Sequence, residues 1–337
     1  MAEGRPRRSV RPGEGRHRRI DAPPCRRHSG DGRGRHLRTD RSPGVRHRPD
    51  RHRRRRREPV TSDRIERPID LGGAGIDAVR DALEGAVREA NEAISAVRAG
   101  KRVRVGHKPG EGPVTEADYA ADDILHERLM PLVPGARWIS EESSEVARIL
   151  RGEPTWVVDP LDGTREFLRG LPEFGVSVAL FAQGRLVMGA VGLPAEQSVL
   201  SAIVAGGRRE TRRDGVPLPT LPNDGVVRRV VVSRHDYEAR RIHYQIPYEV
   251  YPCGSSAVKL VHAAGIDTDV YFSTGPRSLW DIAGGVAILE GVGGQLLQIN
   301  GRPLVLSPQQ IEVPAFVAGA PEDALTLLRR LGAPLEV

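Results

Sequence analysis

Seven apolar residues, Ile76, Val79, Leu83, Val87, Ala90, Ile94 and Val97, fall at steps of three and four. That spacing predicts an amphipathic helix with Asp77 near its start and Gly100 just past its end. Residues 107–113 are punctuated by glycine and proline and read as a loop. A second helix is expected from about Thr115, with Ile124, Leu125 and Leu129 on its inner face. Residues 156–158 read as a short buried strand, and Asp159-Pro160-Leu161-Asp162-Gly163-Thr164 as the turn leaving its C-terminal end. From residue 174 to 203 the period becomes two. Val176, Val178 and Leu180 alternate, Gln183-Gly184 turns the chain and residues 186–191 run back, which predicts an antiparallel meander. Further strands are expected at 230–232, 269–272 and 295–299, with helices after Gly254-Ser255-Ser256 and near Asp281. Strand runs mixed with helices, without an internal repeat, argue for layered α/β structure in two interlocked halves.

Composition changes this picture at one end of the chain. At 337 residues there is ample length for a real core. The sequence pI of about 9.9 suggests a nucleic-acid binder, but the charge is uneven. Residues 1–59 contain 21 Arg, no Lys and 7 acidic residues, so they carry +14 of a net +7 and leave the remainder at −7. Residues 1–67 are therefore expected to form a disordered Arg-rich tail, too poor in apolar residues to offset the entropy of ordering. Residues 68–337 are expected to form the folded domain, in halves of about 75–192 and 193–330. The tail reads either as a polybasic arm for nucleic acid or anionic lipid, or as a plain extension, including an overcalled start with translation beginning near Val60. Cys25 and Cys253 make neither a disulfide framework nor a zinc site, which fits a reducing cytoplasm. No apolar run approaches 18 residues and the N-terminus has no apolar signal region, so no membrane span and no secretion signal are expected.

Four acidic clusters carry the candidate chemistry. Taken singly, each has an ordinary reading. Thr115-Glu116-Ala117-Asp118 is a helix capping box, and Ser140-Glu141-Glu142-Ser143 a solvated helix start. Asp159 to Thr164 is an Asp-Gly turn, and Trp280-Asp281 a capping aspartate beside a core tryptophan. Together they suit two or three hard divalent cations, because Mg²⁺ takes oxygen ligands and keeps several waters. Glu141, Asp159, Asp162 and Asp281 would supply carboxylates and Leu161 its carbonyl, with Pro160 stiffening the turn. Without cations such a group of carboxylates repels itself. Gly163 and Thr164 sit where a helix begins, a setting that favours phosphate. Metals beside a phosphate site point to phosphomonoester hydrolysis by metal-activated water, with Thr164 and Asp118 to orient and deprotonate it.

On these residues the chain resembles the inositol-monophosphatase superfamily of Mg²⁺-dependent, lithium-sensitive phosphatases. Pro113-Val114-Thr115-x-Ala117-Asp118, Ser140-Glu141-Glu142, Asp159-Pro160-Leu161-Asp162-Gly163-Thr164 and Trp280-Asp281 occur in the family's order. The resemblance implies a five-layered αβαβα sandwich with the metal site between two αβ halves. It implies one metal on Glu141, Asp159 and the Leu161 carbonyl, and a second on Asp159, Asp162 and Asp281. A third ion would lean on Glu141, which gives that residue a catalytic part beside Asp118 and Thr164. The same positions (Glu141, Leu161, Asp162, Gly163, Thr164 and Asp281) would surround the scissile phosphate. Homodimers are common in the family, and Li⁺ is expected to inhibit.

Within the superfamily, Asp159 to Phe167 looks most like the 3′(2′),5′-bisphosphate nucleotidases, which convert adenosine 3′,5′-bisphosphate to AMP and phosphate. Gly254-Ser255-Ser256-Ala257-Val258-Lys259 is similar to that branch too, and implies Ser255, Ser256 and Lys259 around a second, non-scissile phosphate. The sequence departs from the branch in two places. Ser273 stands where an arginine is common, with Arg277 four residues later as a substitute, and Leu279 stands where a glutamate is common. The expected substrate is a small phosphorylated metabolite, first adenosine 3′,5′-bisphosphate, then an inositol or sugar monophosphate. A nucleic-acid-associated protein acting through its basic tail is the reading from another class.

Overall fold

The computed structural model describes residues 71–336, apart from 72, 74, 101, 109–111 and 144–151. The expectations for residues 1–67, namely disorder, an alternative start and nucleic-acid binding, lie outside the described residues, as does Cys25.

Helix α1 (Ile76–Ala99) follows the predicted stripe, with Val79, Leu83, Val87, Ala90 and Ile94 buried. Within the predicted loop at 107–113, residues 107–108 and 112–113 instead belong to paired strands, β1 (Val105–Lys108) antiparallel to β2 (Gly112–Thr115). Helix α2 (Glu116–Leu129) starts directly after its cap, Thr115. It buries Ala117, Ala121, Leu125 and Leu129 at steps of four, which leaves Ile124, one residue off that stripe, half-buried.

A seven-stranded sheet follows: β3 (Arg137–Ser140), β4 (Thr155–Asp162), β5 (Gly175–Ala182), β6 (Arg185–Leu193), β7 (Ser198–Ile203), β8 (Glu210–Arg213) and β9 (Val216–Pro217), neighbours in that order. β3 runs parallel to β4 and every later pair is antiparallel. Helix α3 (Thr164–Leu168) separates β4 from β5. The predicted meander is present, but every residue of β5 is buried, because helices cover both faces of the sheet. The first sheet continues past residue 192 to Pro217, since β7 pairs along β6 and carries β8 and β9 with it.

Of the stretch expected as a turn, Asp159 to Asp162 is the end of β4, and Thr164 begins α3. Asp159 pairs with Ser177 and Asp162 with Gly175, three steps on β4 against two on β5. One extra residue is therefore inserted beside Pro160, which has no N–H to give the ladder. In a regular strand, residues three apart point to opposite faces. The bulge cancels that inversion, so Asp159 and Asp162 line the same cavity.

The rest of the chain forms a second sheet from β10 (Arg229–Ser233), β11 (Glu249–Cys253), β12 (Val270–Ser273), β14 (Gln295–Gln298) and β16 (Phe316–Gly319), in the order β11-β10-β12-β16-β14. A small ladder pairs β13 (Arg277–Ser278) with β15 (Glu312–Val313). Helices α4 (Arg234–Glu238), α5 (Ser256–Val261), α6 (Leu279–Gly291) and α7 (Pro321–Arg330) complete it. Helices α1 and α2 cover one face of the first sheet, α5 and α6 lie between the sheets, and α7 covers the second. This is the expected five-layered α/β sandwich. Gly284 lets α6 touch the first sheet: a Cβ there would meet the Ala190 carbonyl at 2.7 Å and the Val178 nitrogen at 2.8 Å. That contact sets α6, and Asp281 in its first turn, against the end of β4. Among the described residues no helix is long and apolar enough to cross a membrane.

Candidate active site

The four carboxylates predicted as metal ligands reach one cavity from three elements. Glu141 follows β3 and its N–H donates to the Val158 carbonyl at 3.1 Å, which fixes it beside β4. Asp159 and Asp162 come from the bulged end of β4, and Asp281 from α6. Ligand oxygens of Glu141, Asp159 and Asp281 all lie within 4.8 Å of one another. Burial, then repulsion from Glu141, Asp162 and Asp281, pushes the Asp159 carboxyl well above the usual range. Burial, then Asp162 and Glu141, does the same to Asp281. Such a cluster is stable as carboxylates only when a cation neutralises it, and an all-oxygen set suits a hard divalent ion.

Asp162 stands slightly apart. Its Oδ2 accepts the Ser255 hydroxyl at 2.6 Å and the Ala257 N–H at 2.7 Å. Burial raises its pKa, while the Lys259 charge and these hydrogen bonds oppose the rise. Leu161 gives its N–H to Asp159 Oδ1 at 3.0 Å, and its carbonyl accepts the Thr164 hydroxyl at 3.1 Å.

Thr115, Asp118 and Thr164 form the second part of the site. The capping box at Thr115 is real: its side chain accepts the Ala117 N–H at 3.1 Å, and its N–H and hydroxyl both donate to Asp118 Oδ2, at 2.8 and 2.6 Å. The other oxygen of Asp118, Oδ1, is 3.2 Å from Thr164 Oγ1. One carboxylate thus closes the capping box and also reaches Thr164. Burial raises the Asp118 pKa, opposed by the bonds from Thr115 and Thr164.

The cavity is about 540 Å³, and cationic residues also line it. Arg234, Asp236 and Arg240 do so from α4 and the residues after it, Thr274 and Arg277 from the segment after β12. Arg234 is held by Glu173 at 2.7 Å and lies 3.6 Å from Glu166. Arg240 donates to Thr274 Oγ1 at 3.1 Å and sits 3.2 Å from Asp236 Oδ1. Arg277 donates to the Tyr271 hydroxyl at 3.3 Å, and its other end is 4.0 Å from Asp236 Oδ2. The α4 residues were missed from sequence. Their signal was there: a charged run, Arg234 to Arg241, at the C-terminal end of the apolar strand 230–232, where open α/β sheets place ligands.

Two of the residues expected around a second phosphate, Ser255 and Lys259, and the neighbouring Ser273 make hydrogen bonds within the protein. Ser255 is fully buried, caps α5 through the Val258 N–H at 3.0 Å and spends its proton on Asp162. Lys259 is fully buried, with Nζ on the carbonyls of Cys253, Gly254 and Ser255 at 3.1, 2.8 and 2.8 Å. Ser273 is buried and donates to the Gly275 carbonyl at 3.0 Å. Ser256, Lys259 and Arg277 line the cavity.

Comparison with known proteins agrees with this geometry. Residues 76–330 match the model of the inositol monophosphatase family. The 3′(2′),5′-bisphosphate nucleotidase CysQ of Escherichia coli K12 is 31% identical over 227 residues, covering 66% of this chain and 92% of that one. The inositol monophosphatase of Mesembryanthemum crystallinum is 30% identical over 247 residues, covering 68% and 90%. Among solved structures, the Thermotoga maritima IMPase superposes with a TM-score of 0.64 at 21% identity, covering 76% of this chain and 97% of that chain. The extragenic suppressor protein suhB of Bartonella henselae gives 0.62 at 23%, covering 75% and 98%. With the motifs, the layered fold and the carboxylate cluster in agreement, the chain belongs to the inositol monophosphatase family and is a metal-dependent phosphatase.

Proposed function

We propose that this phosphatase acts on a substrate with two anionic groups, adenosine 3′,5′-bisphosphate being the best fit, and releases AMP and phosphate. The observation that carries the reading is the mixed lining of one cavity, in which Glu141, Asp159, Asp162 and Asp281 are accompanied by Arg234, Arg240 and Arg277. Arg234 is paired with Glu173 and lies near Glu166 and Glu238, whereas Arg240 and Arg277 both approach Asp236. A scissile phosphate suits the carboxylate cluster with its cations, and Arg240 and Arg277 suit a second anion.

The oxygen donors fit Mg²⁺, held by Glu141, Asp159 and Asp281 with Asp162 and the Leu161 carbonyl beside them. When bound, such ions supply charge neutralisation and a water of lowered pKa, and Li⁺ is expected to inhibit. The chain's own part falls on Thr164 and Asp118. The Thr164 hydroxyl lies between Asp118 Oδ1 and the Leu161 carbonyl, so it orients the attacking water, and Asp118 accepts the proton.

A second reading, hydrolysis of an inositol or sugar monophosphate, is favoured by Asp236. Its carboxylate is 2% exposed and lines the same cavity, where it can accept bonds from polyol hydroxyls. Comparing kcat/KM for adenosine 3′,5′-bisphosphate and inositol 1-phosphate with Mg²⁺, with and without Li⁺, separates the two. Preference for the bisphosphate is expected. Preference for inositol 1-phosphate would move the substrate to the second reading, and no phosphate release from either would defeat both.

A further inference from the structure

Along α2, Asp118, Asp122 and His126 recur at steps of four, a polar row beside the apolar stripe of Ala117, Ala121, Leu125 and Leu129. Each member of the row meets a different part of the chain. Asp118 closes the capping box and reaches Thr164. The His126 ring packs edge-on against Trp138 of β3, with ring centroids 5.0 Å apart. Asp122, between them, accepts the Ser140 hydroxyl on Oδ1 at 2.6 Å. Water activation uses Asp118, and nothing in the reaction uses Asp122.

Ser140 is the last residue of β3, 3% exposed, and stands directly before Glu141. Its Oγ gives its one proton to Asp122 and accepts the Glu142 N–H at 3.2 Å. Its carbonyl accepts the Ser143 N–H at 3.1 Å, and the Glu141 N–H goes to Val158 of β4. The turn that carries Glu141 is therefore closed over the Ser140 side chain. A hydroxyl has a single proton, and the direction of that proton sets where its lone pairs point. With the proton committed to Asp122, a lone pair faces the Glu142 N–H. Without that acceptor the buried proton would be left unpaired, which costs free energy, and the hydroxyl would rotate to find another partner.

We infer that Asp122 is a positioning residue of the metal site: through Ser140 it holds the 140–143 turn, and so the place from which Glu141 reaches a cation shared with Asp159 and Asp281. The inference rests on the Mg²⁺ reading of that carboxylate cluster. Because Asp118 and Asp122 ride on one helix, α2 ties the part of the site that accepts the proton to the part that holds the metal.

The test is calorimetric titration of Mg²⁺ into wild type, Asp122→Ala, Asp122→Asn and Ser140→Ala, with thermal melts to verify folding. Asp122→Ala and Ser140→Ala are expected to bind Mg²⁺ roughly 10–100-fold more weakly, the worth of groups that orient a ligand from behind. Asp122→Asn keeps an oxygen to accept the Ser140 proton, so its Mg²⁺ affinity should stay near wild type. In turnover, Asp122→Ala should need more Mg²⁺ and recover its kcat at saturation, since Asp118 and Thr164 are untouched. Normal Mg²⁺ binding by Asp122→Ala, with only the melting temperature lowered, would reduce the contact to fold stability and overturn the inference. So would an Asp122→Asn variant as weak as Asp122→Ala, which would assign the effect to charge rather than to the bond from Ser140. Should Asp122→Ala not fold, Ser140→Ala decides, because normal Mg²⁺ binding there removes the link to Glu141. A wild-type protein that takes up no Mg²⁺ is a separate result, and it defeats the reading of the cluster together with the inference.

Discussion

Thr164 Oγ1 lies 3.2 Å from Asp118 Oδ1, although 46 residues separate them in the chain. One partner sits in the first turn of α2 and the other at the start of α3, and the Leu161 carbonyl holds the threonine from the opposite side at 3.1 Å. A hydroxyl between a carboxylate and a carbonyl has few orientations open to it. Asp118→Asn and Thr164→Ala should each lower kcat by about 10²–10⁴-fold. If the pair acts as a unit, the double variant will be no worse than the poorer single one. Mg²⁺ titration should stay near wild type in all three, which separates loss of proton transfer from loss of metal.

The carboxylate cluster has opposite consequences with and without metal. Burial and mutual repulsion raise the pKa of Asp159 and Asp281, so the metal-free fold loses stability as pH rises through the carboxylate range. Asp281→Asn removes one charge from that cluster. In EDTA at pH 7.5 the variant should melt above wild type, yet Mg²⁺ should no longer raise its melting temperature. A metal-free variant that melts lower would show that repulsion is not the dominant strain.

Gly163 has φ of +96°, and a Cβ there would lie 2.8 Å from the Glu173 carbonyl and 3.2 Å from Phe174 Cα. Gly163→Ala therefore combines left-handed backbone with a backbone clash, a cost of about 1–3 kcal/mol. It also displaces Thr164, the next residue. Both a lower melting temperature and a lower kcat are expected. Full activity in the alanine variant would mean that the loop relaxes without moving the hydroxyl.

Arg277 is the residue on which the substrate reading turns. Arg277→Ala should lower kcat/KM for adenosine 3′,5′-bisphosphate by roughly 10- to 100-fold, the worth of a hydrogen bond to a charged group. Turnover of a monophosphate should change little. Equal losses on both substrates would assign Arg277 to the wall's structure, through Tyr271, rather than to the second anion.

A pH effect is expected far from the site. Burial, with help from Asp224 and Asp269, pushes Asp323 at the start of α7 from 3.8 up to about 6. The folded protein thus holds a proton that the unfolded chain releases near pH 4. Between about pH 4 and 6 the folded state binds more protons, so this group's contribution falls as pH rises and is fully lost above 6. Asp323→Asn should remove that slope. Its melting temperature should exceed wild type more at pH 7 than at pH 4.5, and a constant difference would contradict the linkage.

The sequence alone determined the α1 stripe, the meander, the capping box at Thr115 and the ordered set of acidic clusters, because each is written in spacing within a few residues. It also carried the family motifs, and with them the layered fold. Only the tertiary structure decided the bulge that turns Asp159 and Asp162 to one side, since a ladder irregularity depends on the partner strand. Ser255 meets Asp162 across 93 residues and Arg277 approaches Asp236 across 41, distances over which no local period operates. The pocket residues on α4 escaped because a five-residue helix is too short for a 3.6-residue pattern. Lys259 shows the limit most plainly. Its place after two serines suits a phosphate, but that its ammonium meets three backbone carbonyls beside the cavity is a property of the folded chain.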